Sequence, residues 1–351
     1  MAFMNICGIL TLDDLSSNLF YQENIHMRKI LSMILCAAMI LSVLASVGCS
    51  KEEALALGLG VYTTTVATDA TEDKNGSGKA TVTAAAVLLD ANGKIVKCFV
   101  DCMDNQVAYT AEGKALANDS FKTKYEQGDS YGMKLYGGAV KEWYEQADAF
   151  CALTIGKTLD EVKAMVASDN KGDAEVIGAG CTILISEFVM AIEKAVKHAA
   201  PSAATAKDTL RLGMSTNQTT TDATEDKAGK NQIETTCFAA TVNDEGKITA
   251  AMSDCVQVAF TFDVNGASVF EAVGDISTKR DAGDAYGMKA YGGSAKEWYE
   301  QANIFDAACI GKSANEVKAF LTETNYGSAD IQSAGCTILV DGFVKAASKI
   351  G

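Results

Sequence analysis

The stretch YGMKLYGGAVKEWYEQA, Tyr131 to Ala147, returns as YGMKAYGGSAKEWYEQA, Tyr286 to Ala302, with fourteen of seventeen residues unchanged. The echo is not confined to it. VATDATEDKNG at 66–76 recurs in TTDATEDKAGK at 220–230, NGKI at 92–95 in EGKI at 245–248, and AGCTIL at 179–184 in AGCTIL at 334–339. A period near 154 residues is far longer than the roughly 20–50 residues of a solenoid unit. It is long enough for a domain with its own core. The reading is two tandem copies of one small domain, 58–198 and 210–351. A small, polar linker at 199–209 holds Pro201, the chain's single proline.

Within each copy the front half predicts strands and the back half helices. ATVTAAAVLLD and KIVKCFVDC are rich in β-branched and apolar residues and are joined by ANG, a hairpin signal. QVAYTAEG and QVAFTFDVNG predict a further strand. Val140, Trp143, Ala147 and Phe150 recur at helical spacing, and Thr158–Glu161 and Ser313–Glu316 have the pattern of capping boxes. CTILI then predicts a short strand ending at Ser186, aligned with Asp341, as N-caps of the final helices. The fold class is α+β, an antiparallel sheet followed by helices in each copy.

The first residues read as an address. Met27-Arg28-Lys29 precedes an apolar run ending in LASVGC, so 27–48 has the pattern of a secretory signal. The run resembles a bacterial lipobox, which implies lipid on Cys49, a tether over 49–57 and an extracytoplasmic protein held to the cell membrane. An uncleaved span over Ile30–Gly48 is the alternative. Asp13, Asp14 and Glu23 are wrong for the start of a signal, so 1–26 reads as an upstream mis-start.

The net charge of −15 repels phosphate backbones, and no basic cluster offsets it, so no nucleic-acid partner is expected. Beyond Cys49 the only histidine is His198, which leaves no catalytic triad and no metal site to assign. Eight cysteines follow Cys49: Cys98, Cys102, Cys151, Cys181, Cys237, Cys255, Cys309 and Cys336. Disulfides such as Cys102–Cys181 and Cys255–Cys336, and buried free thiols, are both open readings. Tyr131, Tyr286 and the tryptophans stand beside glycines, placed either to stack on a ligand or to fill the core.

The layout resembles the FMN-binding domain family, whose members occur in the sodium-translocating NADH:quinone reductase, in Rnf complexes and as flavinylated extracellular lipoproteins. The resemblance rests on the NGKI and EGKI turns and on Ala179-Gly180-Cys181-Thr182 and Ala334-Gly335-Cys336-Thr337. These tetrapeptides fall where the family has Ser-Gly-Ala-Thr, whose threonine carries FMN as a phosphoester. Alanine stands for serine and cysteine for alanine in both. The resemblance implies FMN at Thr182 and Thr337, with Gly180 and Gly335 in the binding loops and Tyr131 and Tyr286 nearby. It implies an electron relay with redox partner proteins and no catalytic residues of its own. The competing expectation is a non-catalytic surface lipoprotein that binds a ligand or partner without flavin.

Overall fold

The computed structural model describes residues 54–271 and 274–351. The signal segment, Cys49 and the start of the tether lie outside them. Three long strands open each copy: β1 (Ala56–Thr68), β2 (Gly76–Leu89) and β3 (Ile95–Tyr109), then β6 (Thr209–Thr221), β7 (Gly229–Val242) and β8 (Ile248–Phe262). All neighbours pair antiparallel. The two segments expected as separate strands, KIVKCFVDC and QVAY, are one fifteen-residue strand. β1 and β6 were not expected as strands; the alternation of Leu57, Leu59 and Val61, and of Leu210, Leu212 and Met214, was the available signal. The predicted hairpin turn is present. Asp90 accepts from the backbone of Asn92 and Lys94, and Gly93 takes the left-handed conformation (φ 73°) that closes it.

Helices follow in each copy: α1 (Lys124–Gln127), α2 (Trp143–Thr154), α3 (Leu159–Lys163), α4 (Ala174–Gly178) and α5 (Ser186–His198). Their counterparts are α6 (Lys279–Ala282), α7 (Trp298–Cys309), α8 (Ala314–Lys318), α9 (Ala329–Ser333) and α10 (Asp341–Ala347). Both expected capping boxes form, at Thr158 with Glu161 and at Ser313 with Glu316. The chain is thus two copies of an antiparallel sheet followed by helices, an α+β fold.

The two sheets pack face to face. Along β1 and β2 alternate side chains turn to opposite faces. Leu57, Leu59, Val61, Val82 and Leu88 meet Met214, Ile233, Val256, Val258 and Phe260 of the second copy in one buried cluster. On the other face Ala85, Val87 and Val100 pack under α2 and α5, and Phe238 and Ala240 under α7 and α10. The order of layers is helices, sheet, sheet, helices. The two copies relate as the subunits of a twofold dimer. Tyr109 stacks on its own counterpart, Phe262, with centroids 4.2 Å apart and planes 7° from parallel. Ala70 N–H donates to Gly266 O while Ala223 N–H donates to Gly113 O. The expectation that each copy keeps its core to itself is therefore corrected.

The linker and the tether are corrected as well. Ala200 and Pro201 (β5) pair with Leu57 and Ala56, extending a sheet of order β4-β3-β2-β1-β5, where β4 is Ala115–Leu116. Leu55 and Ala204 are buried in the shared cluster, and Leu55 N–H donates to Ala204 O. Beyond the linker, Lys194 bridges Asp275 (2.9 Å) and Asp281 (2.8 Å), and His198 Nε2 lies 3.1 Å from Asp281. Burial alone would raise the Asp281 carboxyl; hydrogen bonds from His198 and Lys194 outweigh it and hold its pKa well below the ordinary range. The symmetry-related pair is Lys349 with Glu126, at 2.8 Å.

α5 lies directly on β1 because β1 carries glycine where the helix crosses it. A Cβ on Gly60 would overlap the Ala191 carbonyl and Ala195 N, and one on Gly58 the Ala195 carbonyl. Gly213 stands in the same relation to Ala346 of α10. Replacing Gly60 with valine is expected to lift the helix off the sheet and cost about 3 kcal/mol, as overpacking does. Urea denaturation measures it, and a midpoint unchanged from the parent would contradict the close approach.

Candidate functional site

The duplicated stretch builds one device in each copy. Gly132 (φ 80°) turns the chain into an exposed loop, and the buried carboxylate of Glu142 gathers that loop by accepting from Met133 N–H (2.8 Å) and Lys134 N–H (3.2 Å). Glu142 is also the N-cap of α2, in a capping box with Glu145. One turn into α2, Gln146 donates through Nε2 to Lys141 O (3.0 Å), which fixes its amide so that Oε1 faces the other way. That oxygen accepts from both Thr182 N–H (2.8 Å) and Thr182 Oγ1 (3.1 Å). The second copy repeats the arrangement: Glu297 takes Met288 N–H at 2.8 Å, and Gln301 Oε1 takes Thr337 N–H at 2.8 Å and Oγ1 at 3.1 Å.

Thr182 and Thr337 are therefore neither buried nor in a strand. Both are exposed. CTILI forms no strand, only the isolated bridges Leu184 to Lys171 and Leu339 to Tyr326. Gly180 (φ 92°) and Gly335 (φ 106°) adopt the left-handed turn that a side chain would resist. A Cβ on Gly180 would strike Lys141, whose Nζ donates to Ala179 O (2.8 Å); Lys296 lies against Gly335 in the same way. Each loop thus has a lysine against its glycine, two residues before the threonine.

The helix ends do not act as expected. Ser186 and Asp341 are the first residues inside α5 and α10, and Ile185 and Val340 occupy the N-cap positions without a side-chain cap. Asn170 O accepts from Ile185 N–H and Ser186 N–H, and Asn325 O from Val340 N–H. Both asparagines sit at positive φ, 64° and 66°, which swings their carbonyls onto these donors. In the first copy the first helical donor, Ser186 N–H, is thereby spent on the chain itself; in the second, Asn325 takes only the N–H of Val340, ahead of α10.

Tyr131 and Tyr286 each lie against a lysine. Lys124 Nζ lies 5.3 Å from the Tyr131 ring and 5.6 Å from the Trp143 ring. Lys279 Nζ lies 5.5 Å from Tyr286 and 5.6 Å from Trp298. Each lysine is a mostly buried cation between two aromatic faces, and each has a carboxylate: Asp104 at 3.4 Å for Lys124, Glu234 at 3.1 Å for Lys279. Those acids come from different strands. Asp104 pairs across the sheet with Thr81, and Glu234 holds the place of Thr81 in the second copy. The acid moved while the ion pair stayed. Sequence reasoning missed these lysines; the recurrence of Thr-Lys at 123–124 and 278–279 was the available signal.

Both tryptophans are core residues, under Phe188 and Phe343. Val140, expected on the same helix face, precedes the helix and is 92% exposed. It shares its loop with Leu135 and Tyr136, themselves 75% and 83% exposed, and Tyr291 of the second copy is as open. The eight cysteines of the described residues are all free thiols. Burial pushes the Cys102 thiol up to about 12 and Cys181 to about 11. The pairs Cys102–Cys181 and Cys255–Cys336 are not bonded, and the buried-thiol reading describes them. Among the described residues no cluster of three or more His, Cys, Asp or Glu is arranged to hold a metal, and no helix is long and apolar enough to cross a membrane.

No family model matches the chain. No solved structure matches it either. A chlorophenol reductase of Desulfitobacterium hafniense is 32% identical over 118 residues, which cover 30% of this chain and 36% of that protein. The chain is thus similar to about a third of that relative's length.

Proposed function

We infer that the chain is a lipid-anchored, extracytoplasmic electron carrier that bears FMN as a phosphoester on Thr182 and Thr337. One observation carries the reading: two exposed threonine hydroxyls, held in the same way by Gln146 and Gln301. A hydroxyl meant only for the core would be covered. The residues fit a phosphoester at the hydroxyl and at Lys141 and Lys296, whose cations favour a phosphate charge nearby. The start of α5 is a poorer place for the phosphate, because Asn170 O already accepts from Ser186 N–H. FMN, when attached, supplies the electron-transfer chemistry. The protein's part is to keep the threonine outward, orient it through its backbone N–H on the glutamine Oε1, the bond that remains once the hydroxyl is esterified, and hold the loop with Glu142. Partial similarity to a protein named as a reductase agrees with redox work.

The second reading, a surface module that binds a partner without flavin, is favoured by the exposed Leu135, Tyr136 and Val140. One experiment separates the two. The chain is produced with a flavin transferase, denatured, and inspected for fluorescence on the protein band, and a native sample is titrated with FMN. The expected result is covalent flavin that falls by about half in Thr182→Val and is lost in Thr182→Val with Thr337→Val. Absence of flavin in both assays would leave the partner-binding module as the better account.

A further inference from the structure

Cys98 and Cys151 are unlike the other thiols. Cys98 lies on β3 beside Val87 of β2 and is half-buried; Cys151 lies on α2 and is buried. Both line one open surface cleft of about 420 Å³, together with Val96, Lys97, Asp148 and Ala152. Cys98 packs against the apolar cluster that contains Cys151. The Cys151 thiol pKa is raised well above its ordinary value, first by the neighbouring Cys98 and then by burial. No comparable arrangement is seen for Cys237 and Cys255, which point to opposite faces of their sheet, one into the inter-sheet cluster and one toward the helices. The second copy has no thiols at these two places. Ala251 stands for Cys98 and Asp306 for Cys151. There Asp306 is pinned by Ser253 N–H (2.9 Å), Ser253 Oγ and Arg280 (3.5 Å).

We propose that Cys98 and Cys151 form a redox-active dithiol, confined to the first copy, that closes to a disulfide by exchange with a small-molecule disulfide reaching the cleft. Cys98, the half-buried thiol, is the entry point. Its thiolate attacks one sulfur of the small disulfide, forming a mixed disulfide and releasing one thiolate, which is then protonated. Cys151 loses its proton and attacks the Cys98 sulfur, closing the Cys98–Cys151 bond and releasing the second small thiol. The two cysteines lose two electrons and two protons, and the small disulfide takes up both. Cys151 is the resolving thiol, since its burial keeps it protonated and shielded until a sulfur arrives beside it. The pairing joins β3 to the helix packed on its outer face, within the first copy, so it needs no rearrangement of the shared core.

The test uses the full chain, reduced, freed of reductant and incubated with oxidised glutathione. Samples are acid-quenched, free thiols are counted in denaturant, and linked peptides are mapped by mass spectrometry without reduction. The expected result is the loss of two thiols and a peptide pair joining Cys98 to Cys151. Cys151→Ser is expected to trap glutathione on Cys98. Cys98→Ala, which changes only a half-buried sulfur, is expected to stop the loss of thiols while leaving the near-ultraviolet circular dichroism of the parent. An unchanged thiol count in the parent chain, a bond between another pair, or glutathione left on Cys98 with Cys151 still free would each overturn the proposal. So would equal thiol loss in Cys98→Ala.

Discussion

Separated at the linker, neither copy is expected to fold as a monomer. A chain of residues 52–200 would uncover Leu57, Leu59, Val61, Val82, Leu88, Met103 and Val107, all of which lie in the cluster shared with the second copy. Full burial of such side chains is worth about 1.5–3 kcal/mol each, so losing the facing sheet removes on the order of 10 kcal/mol. A domain's whole stability is about 5–15 kcal/mol. The separated half should therefore give no cooperative melt as a monomer. Because the contact has twofold symmetry, two halves can also replace the missing partner with a second copy. Sedimentation together with thermal melting checks this. A monomeric half with a sharp transition close to that of the whole chain would show that the sheet-to-sheet cluster contributes little.

The second large effect is expected at Arg280. Its guanidinium donates to Ser253 O (2.9 and 2.7 Å) and to Asn303 Oδ1 (3.0 Å), and lies 3.5 Å from the Asp306 carboxylate. Asp306 is buried, and burial pushes its carboxyl up to about 6 even though Arg280 pulls the other way. Asp254, also buried and raised, accepts from Arg280 N–H and Thr278 Oγ1. Arg280→Ala leaves a buried carboxylate without its cation, a change that costs about 3–5 kcal/mol. The pH dependence follows from the sign of the shift. With the folded carboxyl raised from 3.8 to about 6, the unfolded chain releases its proton first. Stability therefore declines as pH rises from about 4 to about 6 and levels off above. Asp101, pushed up to about 7 by burial, adds a decline of the same sign over a wider range. The Arg280→Ala deficit should be largest above pH 6 and shrink toward pH 4, where Asp306 is neutral. Urea titrations at pH 4.5 and 7.5 measure it, and a deficit under about 1 kcal/mol at pH 7.5 would refute the assignment. In the first copy Tyr125 stands for Arg280 and Cys151 for Asp306, so no cation is needed there.

The tetrapeptides at 179–182 and 334–337 led to the threonines, but not to what holds them. Gln146 and Gln301 belong to the repeated stretch and were legible as repeated, yet their bond to the threonines spans 36 residues. No local pattern announces such a pairing. Trp143 and Trp298 show a different case: helical spacing left a core place and a stacking role both open, and burial under Phe188 and Phe343 chose the core. Val140 failed by the same rule, because spacing carries no information about where a helix begins. Glu142, the actual N-cap, has the less common side chain for that place.

Duplication, strand-then-helix order, the hairpin turns and the capping boxes were all determined by the sequence alone. They depend on contacts between residues close in the chain or on direct comparison of two segments. The sheet-to-sheet core, the capture of the linker by β1, the lysines between aromatic rings and the Cys98–Cys151 pair were decided only by the tertiary structure. β1 and β2 carry apolar residues on both faces, and alternation alone cannot say whether the second face meets helices, solvent or another sheet. The twofold packing answers it, because two copies of one half-covered sheet cover each other's apolar face when they pack together.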